Sequence, residues 1–307
     1  MSLPASRTHP SLNSVLLATD LSETSQKALR HAVAIARHYR AKFYFAHVVS
    51  GLVCTLTGPQ ALELASEAAE REVLQVEHDL LESGSLDGVD HEFLVCKGIV
   101  WEELQSIISE ERIDLVVLGT HGRRGIEKLL LGSVAEQVFR RANCLVLTVG
   151  PNSYPFDFSR KSPEFLFATD FGEGSLCALP HAVSFANHFG AKLTLLHVVP
   201  ATPMPDGSNW RTADDLMQMR NNARMACVRQ LEQLLTSKQE LALEPDFIVQ
   251  FGLPSEKILQ VALELKVDLI FLGLRRSSHI AAASHMPWAT AYEVVCGARC
   301  PVLTVRE

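Results

Sequence analysis

Short apolar runs alternate with longer amphipathic stretches along this chain. In its first half the apolar runs cover residues 15–19, 42–49, 91–96, 114–119 and 144–149. Helical periodicity is clearest from Glu23 to His38, where Ser22 supplies an N-cap and one face carries Ala28, Ala32, Ile35 and Ala36. Further helices are predicted at 60–83, near 100–111 and from about Ser133 to Arg141. This alternation predicts an α/β fold, with a parallel sheet covered by helices on both faces.

The same pattern occurs twice. SVLLATDLSETSQKALRHAVAIARHYRAKFYFAHVV (14–49) returns 150 residues later as EFLFATDFGEGSLCALPHAVSFANHFGAKLTLLHVV (164–199). A repeat of this length indicates a duplicated domain, because solenoid units are about 20–50 residues long. The second copy has strand patterns near 164–169, 193–199, 246–251, 268–273 and 301–305. We predict a disordered lead (1–13), a first domain (14–150), a Pro- and Ser-containing linker (151–163) and a second domain (164–307).

A glycine-rich stretch, GTHGRRGIEKLLLGS (119–133), follows the fourth strand of the first domain. Parallel α/β sheets bind ligands beyond the carboxyl ends of their strands. The first strand ends here in Ala18-Thr19-Asp20, and the second ends in His47-Val48-Val49. Glycines let the backbone approach a phosphate closely, and the helix N-terminus opened by Gly132-Ser133 suits an anion. Nearby positive charge comes from Arg123, Arg124 and Lys128.

Two other phosphate motifs do not fit this stretch. The chain has no GxxxxGK[ST] segment, which excludes a P-loop NTPase. A dinucleotide-binding fingerprint follows the first strand of a βαβ unit, whereas these glycines follow the fourth strand. Taken alone, Gly119-x-x-Gly122 fits a flexible turn as well as a phosphate site.

The full spacing, G-x2-G-x9-G-S, resembles the nucleotide-binding signature of the universal stress protein (UspA) family. The ATD after the first strand, the HVV that ends the second and the GSVAEQV after the loop also match. The resemblance covers almost the whole chain, as two copies of the family's domain. It implies two tandem, doubly wound, five-stranded parallel-sheet domains of the Rossmann-like, adenine nucleotide alpha hydrolase-like type.

The resemblance also implies an ATP site in the first domain, with a magnesium or manganese ion as a frequent companion of the phosphates. Asp20, next to Thr19, would face the ribose or the adenine edge. Ala18 and Val48 would line the adenine pocket. Leu118 and Gly119 would lie against the base and the ribose. The triphosphate would be held by Gly122, Arg123, Gly132, Ser133 and Val134. No residue of the sequence stands out as a dedicated metal ligand.

Several of these residues have structural alternatives. Asp20, which recurs as Asp170, is also a suitable cap for the turn or helix that follows it. His47 and His197 recur inside apolar strands, where a hydrogen-bonded core histidine is the favoured interpretation.

The second copy lacks the signature. Its corresponding stretch is GLRRSSHIAAASHMPWATAYEVV (273–295), with Arg276 at the position of Gly122. No register restores the Gly-Ser pair, and aligning WATA with GSVA places Trp288 on Gly132. We therefore predict that the second domain does not bind ATP in the family's manner. For Arg275 and Arg276, a solvated loop is favoured over a site for another anion.

Composition restricts the class of protein. The chain is 47% hydrophobic with a formal net charge of −7, which argues against sequence-independent binding of nucleic acid. It contains no apolar run of about 18 residues and no secretory signal pattern at its N-terminus. The seven cysteines are scattered and predict free thiols, buried where they lie in apolar runs. These features predict a cytoplasmic protein without a membrane partner.

Two further segments raise the question of protein partners. We predict that the methionines of the helical stretch 212–239 cover a sheet face, together with Leu231; they are Met217, Met219 and Met225. The last strands, CLVLTV (144–149) and CPVLTV (300–305), are apolar enough to need covering. The resemblance implies that they pair with each other in an internal pseudo-dimer. Whether whole chains also form a homodimer stays open.

The leading hypothesis is a stress-response or signalling module that binds ATP in its first domain. We find no nucleophile, base and orienting group that would act together as a catalytic centre. Two alternatives remain. One is a slow ATPase or a protein that phosphorylates itself on Ser133 or Thr120, and the other is a dimeric scaffold that binds no nucleotide.

Overall fold

The computed structural model describes residues 12–50, 59–120, 131–154, 160, 162–200, 213–235, 241–275 and 289–307. The chain divides into two compact units. The first unit comprises Pro10–Asp157 together with Val295–Arg306, and the second comprises Phe158–Val294 and Glu307. The predicted N-terminal lead lies, up to residue 11, outside the described residues, and so does most of the second half of the predicted linker.

The first unit is a sheet with helices packed against it. In chain order its elements are β1 (Ser14–Thr19), α1 (Glu23–Tyr39), β2 (Lys42–Ser50), α2 (Pro59–Glu82), β3 (His91–Gly98), α3 (Val100–Glu110), β4 (Leu115–Gly119), α4 (Ser133–Arg141), β5 (Leu145–Val149) and β10 (Val302–Arg306). Its strands lie in the order β3-β2-β1-β4-β5-β10. The first five are parallel, as the alternation of strands and helices predicted.

The second unit repeats the arrangement of β1 to β4. Its elements are β6 (Glu164–Thr169), α5 (Glu173–Phe189), β7 (Lys192–Pro200), α6 (Ala213–Leu234), β8 (Asp246–Gly252), α7 (Pro254–Glu264) and β9 (Leu269–Leu274), and α8 (Ala289–Gly297) precedes β10. The strands of this unit lie in the order β9-β6-β7-β8 and are all parallel. The predicted α/β fold is confirmed in both copies.

Local sequence explains how α1 begins and ends. The Ser22 hydroxyl accepts a hydrogen bond from the Ser25 N–H at 3.3 Å, as an N-cap residue does. At the other end Arg40 adopts a left-handed conformation, and its N–H donates to the carbonyls of the last turn. The four apolar residues predicted to share one face, Ala28, Ala32, Ile35 and Ala36, are all buried.

The last strand of the chain completes the first unit. β10 pairs antiparallel with β5, and Leu303 lies opposite Leu147. The hydroxyl of Thr148 donates to the Val302 carbonyl at 3.1 Å, and that of Thr304 donates to the Val146 carbonyl at 3.3 Å. The strand pairing that the resemblance implied is therefore present, and β10 covers what would otherwise be an apolar sheet edge.

The expectation for the methionines of α6 was wrong. Met217, Met219 and Met225 are 66%, 49% and 56% exposed, whereas Leu231 is fully buried. Leucine alone of these four residues therefore contributes to the core of the second unit.

The six cysteines that the structure describes form no disulfide with one another, and they differ in burial. Among the six that the structure describes, Cys300 is buried, Cys177 is exposed, and Cys96, Cys144, Cys227 and Cys296 are partly buried. Burial raises the pKa of the Cys144 thiol to about 12, which keeps it protonated and unreactive near neutral pH. None of the helices in the described part of the chain combines the length and apolar character that a membrane crossing requires.

A buried histidine on α1 makes the stability of the first unit depend on pH. His31 is 4% exposed, and burial, with a smaller contribution from Arg30, lowers its pKa to about 4. The ordinary value of 6.5 applies to the unfolded chain, so acid favours unfolding, where His31 gains its proton more readily. We expect the free energy of unfolding to be highest above pH 6.5 and to fall by about 3 kcal/mol towards pH 4.

Urea unfolding at a series of pH values between 7.5 and about 4 measures this dependence. In His31→Leu the contribution of this residue disappears, so the curve becomes flatter than that of the wild type. His78→Leu is the matched control, because the His78 side chain is 61% exposed. Equal slopes for His31→Leu and the wild type would show that His31 is not the group responsible.

Candidate functional site

The candidate site lies where the strand order of the first unit reverses. β1 has β2 on one side and β4 on the other, and Ala18 lies directly opposite Leu118. Both of these residues are buried, and Thr19 and Gly119 continue the two strands to their carboxyl ends. A reversal of strand order opens a crevice between neighbouring carboxyl ends, which is the usual ligand position in such sheets.

Asp20 organises the turn that leaves β1. Its Oδ1 accepts hydrogen bonds from the Ser22 N–H at 3.1 Å and from the Ser25 hydroxyl at 2.6 Å. The Thr19 hydroxyl accepts the N–H of Leu21 at 3.0 Å. Asp20 therefore has the structural role predicted as the alternative to ligand binding, that of capping the turn before α1. These hydrogen bonds fix the half-buried Asp20 carboxylate beside the crevice.

Gly119 ends β4 in close contact with the start of α1. A Cβ atom at this position would lie 3.1 Å from Thr24 Cγ2 and 3.3 Å from the Ser25 nitrogen. The absence of a side chain thus lets the first turn of α1 approach the end of β4.

Thr120 joins the two ends of the glycine-rich stretch. Its N–H donates to the Val149 carbonyl at 2.9 Å, and its carbonyl accepts the Gly132 N–H at 2.8 Å. This brings Gly132 next to the end of β4, although the two are far apart in sequence. Thr120 itself is only 1% exposed, which makes its hydroxyl a poor phosphoryl acceptor.

Helix α4 begins at this junction. Gly132 is its N-cap and makes no side-chain capping bond, Ser133 is exposed and Val134 is partly buried. The first N–H groups of a helix have no partner within the helix, and together with the helix dipole they attract anions. The junction therefore presents, beside the crevice, a helix end of the kind that suits an anion.

The remaining predicted residues divide into two groups. Gly122 and Arg123 lie outside the described residues, as do Arg124 and Lys128. Val48 is partly buried on β2, one strand away from the crevice. Its neighbour His47 is hydrogen-bonded through Nδ1 to the Thr19 carbonyl at 2.9 Å, which agrees with the structural role predicted for it.

Sequence reasoning missed Ser25, which holds the Asp20 carboxylate in place. A signal for it existed, because Ser25 recurs in register as Ser175, five residues after Asp170. In the second unit the Ser175 hydroxyl donates to Asp170 Oδ1 at 2.5 Å, and the Gly172 N–H donates to the same oxygen at 2.9 Å. The two copies thus share one turn geometry.

The second copy differs at the other carboxylate oxygen. Arg275 is exposed, as expected for a solvated position, and its Nη2 lies 2.7 Å from Asp170 Oδ2 in an ion pair. Burial alone would raise the pKa of Asp170, but the hydrogen bonds from Ser175 and Gly172 and the charge of Arg275 hold it below its usual value. Arg276 and Trp288 lie outside the described residues.

Backbone packing is also tighter in the second copy. A Cβ atom on Gly273, the counterpart of Gly119, would overlap with the carbonyl oxygen of Gly174. A Cβ atom on Gly174 would lie 2.8 Å from the carbonyl carbon of Leu274. The start of α5 and the end of β9 therefore touch backbone to backbone, where the first copy has the Thr24 side chain.

The chemistry of the described residues at the first crevice suits the binding of a ligand. It combines backbone N–H groups, a serine hydroxyl and a fixed carboxylate, which suit an anion and the hydroxyl or amino groups of a ligand. Among the residues that the structure describes, no group of three His, Cys, Asp or Glu side chains is placed to hold a metal ion. This arrangement defines a doubly wound α/β protein built from two copies of one domain.

Comparison with known proteins identifies the family. The sequence profile of the Universal stress protein family matches residues 12–150 and again residues 163–306. The chain therefore belongs to the universal stress protein family, as a member with two domains in tandem.

Individual relatives agree with this assignment. Universal stress protein MJ0531 of Methanocaldococcus jannaschii is 32% identical over 136 residues, covering 44% of this chain and 80% of the relative. YxiE of Bacillus subtilis is 32% identical over 146 residues, covering 45% of this chain and 98% of the relative. A universal stress protein structure from Archaeoglobus fulgidus covers 96% of this chain and 98% of its own, with a TM-score of 0.67 and 22% identity, and so shows the shared fold.

Proposed function

We propose that the first domain binds ATP at the crevice between β1 and β4 and that the protein acts as a nucleotide-dependent binding or signalling module. The carrying observation is the hydrogen bond from the Gly132 N–H to the Thr120 carbonyl, 2.8 Å long. It places the uncapped N-terminus of α4 beside the crevice, where a phosphate chain gains both backbone donors and the helix dipole. The glycine signature, G-x2-G-x9-G-S, favours a triphosphate rather than a single phosphate group as the ligand.

The residues around the crevice fit the other parts of an adenine nucleotide. The buried side chains of Ala18 and Leu118 offer an apolar floor for a base. The Asp20 carboxylate accepts hydrogen bonds from ribose hydroxyls or an amino group. ATP would supply three linked phosphates, and the N–H groups and hydroxyl of Ser133 would hold and orient them.

We further propose that the second domain does not bind ATP. Asp170, the counterpart of Asp20, is already paired with Arg275. Close backbone contact between Gly273 and Gly174 leaves less space between the end of β9 and the start of α5. The expected stoichiometry is therefore one ATP per chain.

The test uses the full-length protein. Acid-quenched protein is first examined for bound nucleotide on a resolving column, and nucleotide-free protein is then titrated with Mg-ATP in a calorimeter. We expect one site per chain that is lost in Gly122→Arg, because this change copies Arg276 of the second repeat. Gly125→Arg is the matched control, since it adds the same side chain to the loop outside the signature.

Each outcome has a definite meaning. Absence of both co-purified nucleotide and saturable binding would exclude the proposal, and binding by Gly122→Arg equal to the wild type would place the site elsewhere. Steady release of ADP from the bound complex would show that the protein hydrolyses ATP, and the binding module would then have to be described as an ATPase.

A further inference from the structure

A cavity of about 280 Å³ opens in the second unit between α6 and the end of β8. Four residues of one helix face and two strand residues line it: Met217, Arg220, Asn221, Arg224, Gln250 and Phe251. None of them belongs to the glycine signature or to the crevice proposed for ATP. Its volume is close to the lower end of the range for small-molecule sites, about 300 Å³.

Two arginines converge on one aromatic ring in this cavity. The guanidinium carbons of Arg220 and Arg224 lie 5.1 Å and 5.9 Å from the centroid of the Phe251 ring. Each such contact is attractive, while the two positive charges repel each other. Neither arginine forms an ion pair with a carboxylate of the described residues. An anion between them would remove this repulsion.

The other lining residues complete a site of mixed character. The side-chain amides of Asn221 and Gln250 supply N–H donors, which suit the oxygens of an anion. Met217 and Phe251 supply an adaptable apolar wall and a flat aromatic surface. The lining thus suits an oxyanion attached to a compact apolar body.

This positive surface is specific to the second repeat. The corresponding helix of the first repeat, α2, carries seven acidic residues and one arginine, whereas α6 carries three acidic residues and three arginines. Phe251 directly precedes Gly252 at the end of β8, and the matching position before Gly98 in β3 is Lys97. The first repeat therefore has neither the arginine pair nor the aromatic ring.

We propose that this cavity binds a small organic phosphate, with Arg220 and Arg224 holding the phosphate and Phe251 contacting its apolar part. A phosphate monoester carries a charge of about −1.5 to −2 near neutral pH, which matches two guanidinium groups. Arginine also presents paired N–H donors to phosphate oxygens.

Methionine methyl groups offer a direct test in the full-length protein. In [methyl-13C]methionine-labelled protein, Met217 lines the cavity, while Met219 and Met225 lie on the same helix outside its lining. Titration with phenyl phosphate is expected to shift the Met217 signal saturably and to leave the other two in place. Benzoate, which carries a single charge, is expected to bind at least tenfold more weakly, and benzyl alcohol is expected to cause no shift.

Variants separate the arginine pair from general surface charge. The double variant Arg220→Gln/Arg224→Gln is expected to lose at least tenfold in affinity, whereas Arg229→Gln, on the same helix but outside the cavity, is expected to bind like the wild type. A far-UV circular dichroism spectrum equal to that of the wild type shows that the double variant is folded.

Three results would overturn the proposal: a stationary Met217 signal, an equal response in the double variant, or benzoate binding as tightly as phenyl phosphate. Because the probe is no nucleotide and the signal comes from the second unit, these results are independent of ATP binding in the first domain.

Discussion

Replacing Gly273 with alanine is expected to destabilise the second unit by about 3 kcal/mol or more. The new Cβ atom would overlap with the Gly174 carbonyl, which is backbone at the start of α5 and has no rotamer to move into. Relief requires a displacement of the helix start from the end of β9, and this weakens the packing of α5 on the sheet. Urea unfolding followed by circular dichroism measures the effect.

Gly119→Ala in the first unit is the matched control. Its Cβ atom would meet the Thr24 methyl group at 3.1 Å, a side-chain atom that shifts more easily than a carbonyl. We expect a cost of about 1 kcal/mol. If the two variants lost equal stability, the difference in backbone packing between the repeats would be without energetic consequence.

Removing residues 302–307 is expected to destabilise the first unit, although its other strands lie at least 150 residues earlier in the chain. The deletion takes away the fully buried Leu303 and leaves β5 as an exposed apolar edge. Loss of one buried leucine alone costs about 2–5 kcal/mol. Hydrogen exchange of a peptide covering β5 (Leu145–Val149) is expected to accelerate about 100-fold, the factor that corresponds to roughly 3 kcal/mol.

A chain that lacks only Glu307 serves as the control, because this residue follows β10 and is exposed. Its exchange rates in β5 are expected to equal those of the intact protein. Full protection of β5 after deletion of the whole strand would show that β10 contributes nothing to the first unit.

Strand and helix positions could be predicted from the sequence because burial imposes a simple period on them. The methionines of α6 show where this reasoning failed. Met217 and Met219 are two residues apart, and side chains at this spacing point to different sides of a helix. The methionines therefore do not share one face of the helix. The prediction relied on the apolar composition of the segment and not on the spacing of these residues.

The features of the candidate sites likewise divide into those visible in the sequence and those that depend on tertiary packing. The glycine signature depends on local spacing and is visible in the sequence. The ion pair of Asp170 and Arg275 joins residues 105 positions apart and depends on the exact approach of two strand ends. The arginine pair over Phe251 likewise depends on how α6 packs against β8, which no spacing rule describes.

The position of β10 also affects how this protein is made. A ribosome that has synthesised residue 157 has delivered all of the first unit except Val295–Arg306. At about 5–20 residues per second, the missing strand follows roughly 7–30 s later. During that interval the edge of β5 is unpaired, so it can bind a chaperone or pair with a strand other than β10. The first unit is thus the first to begin folding, but it becomes complete only after the second has been synthesised.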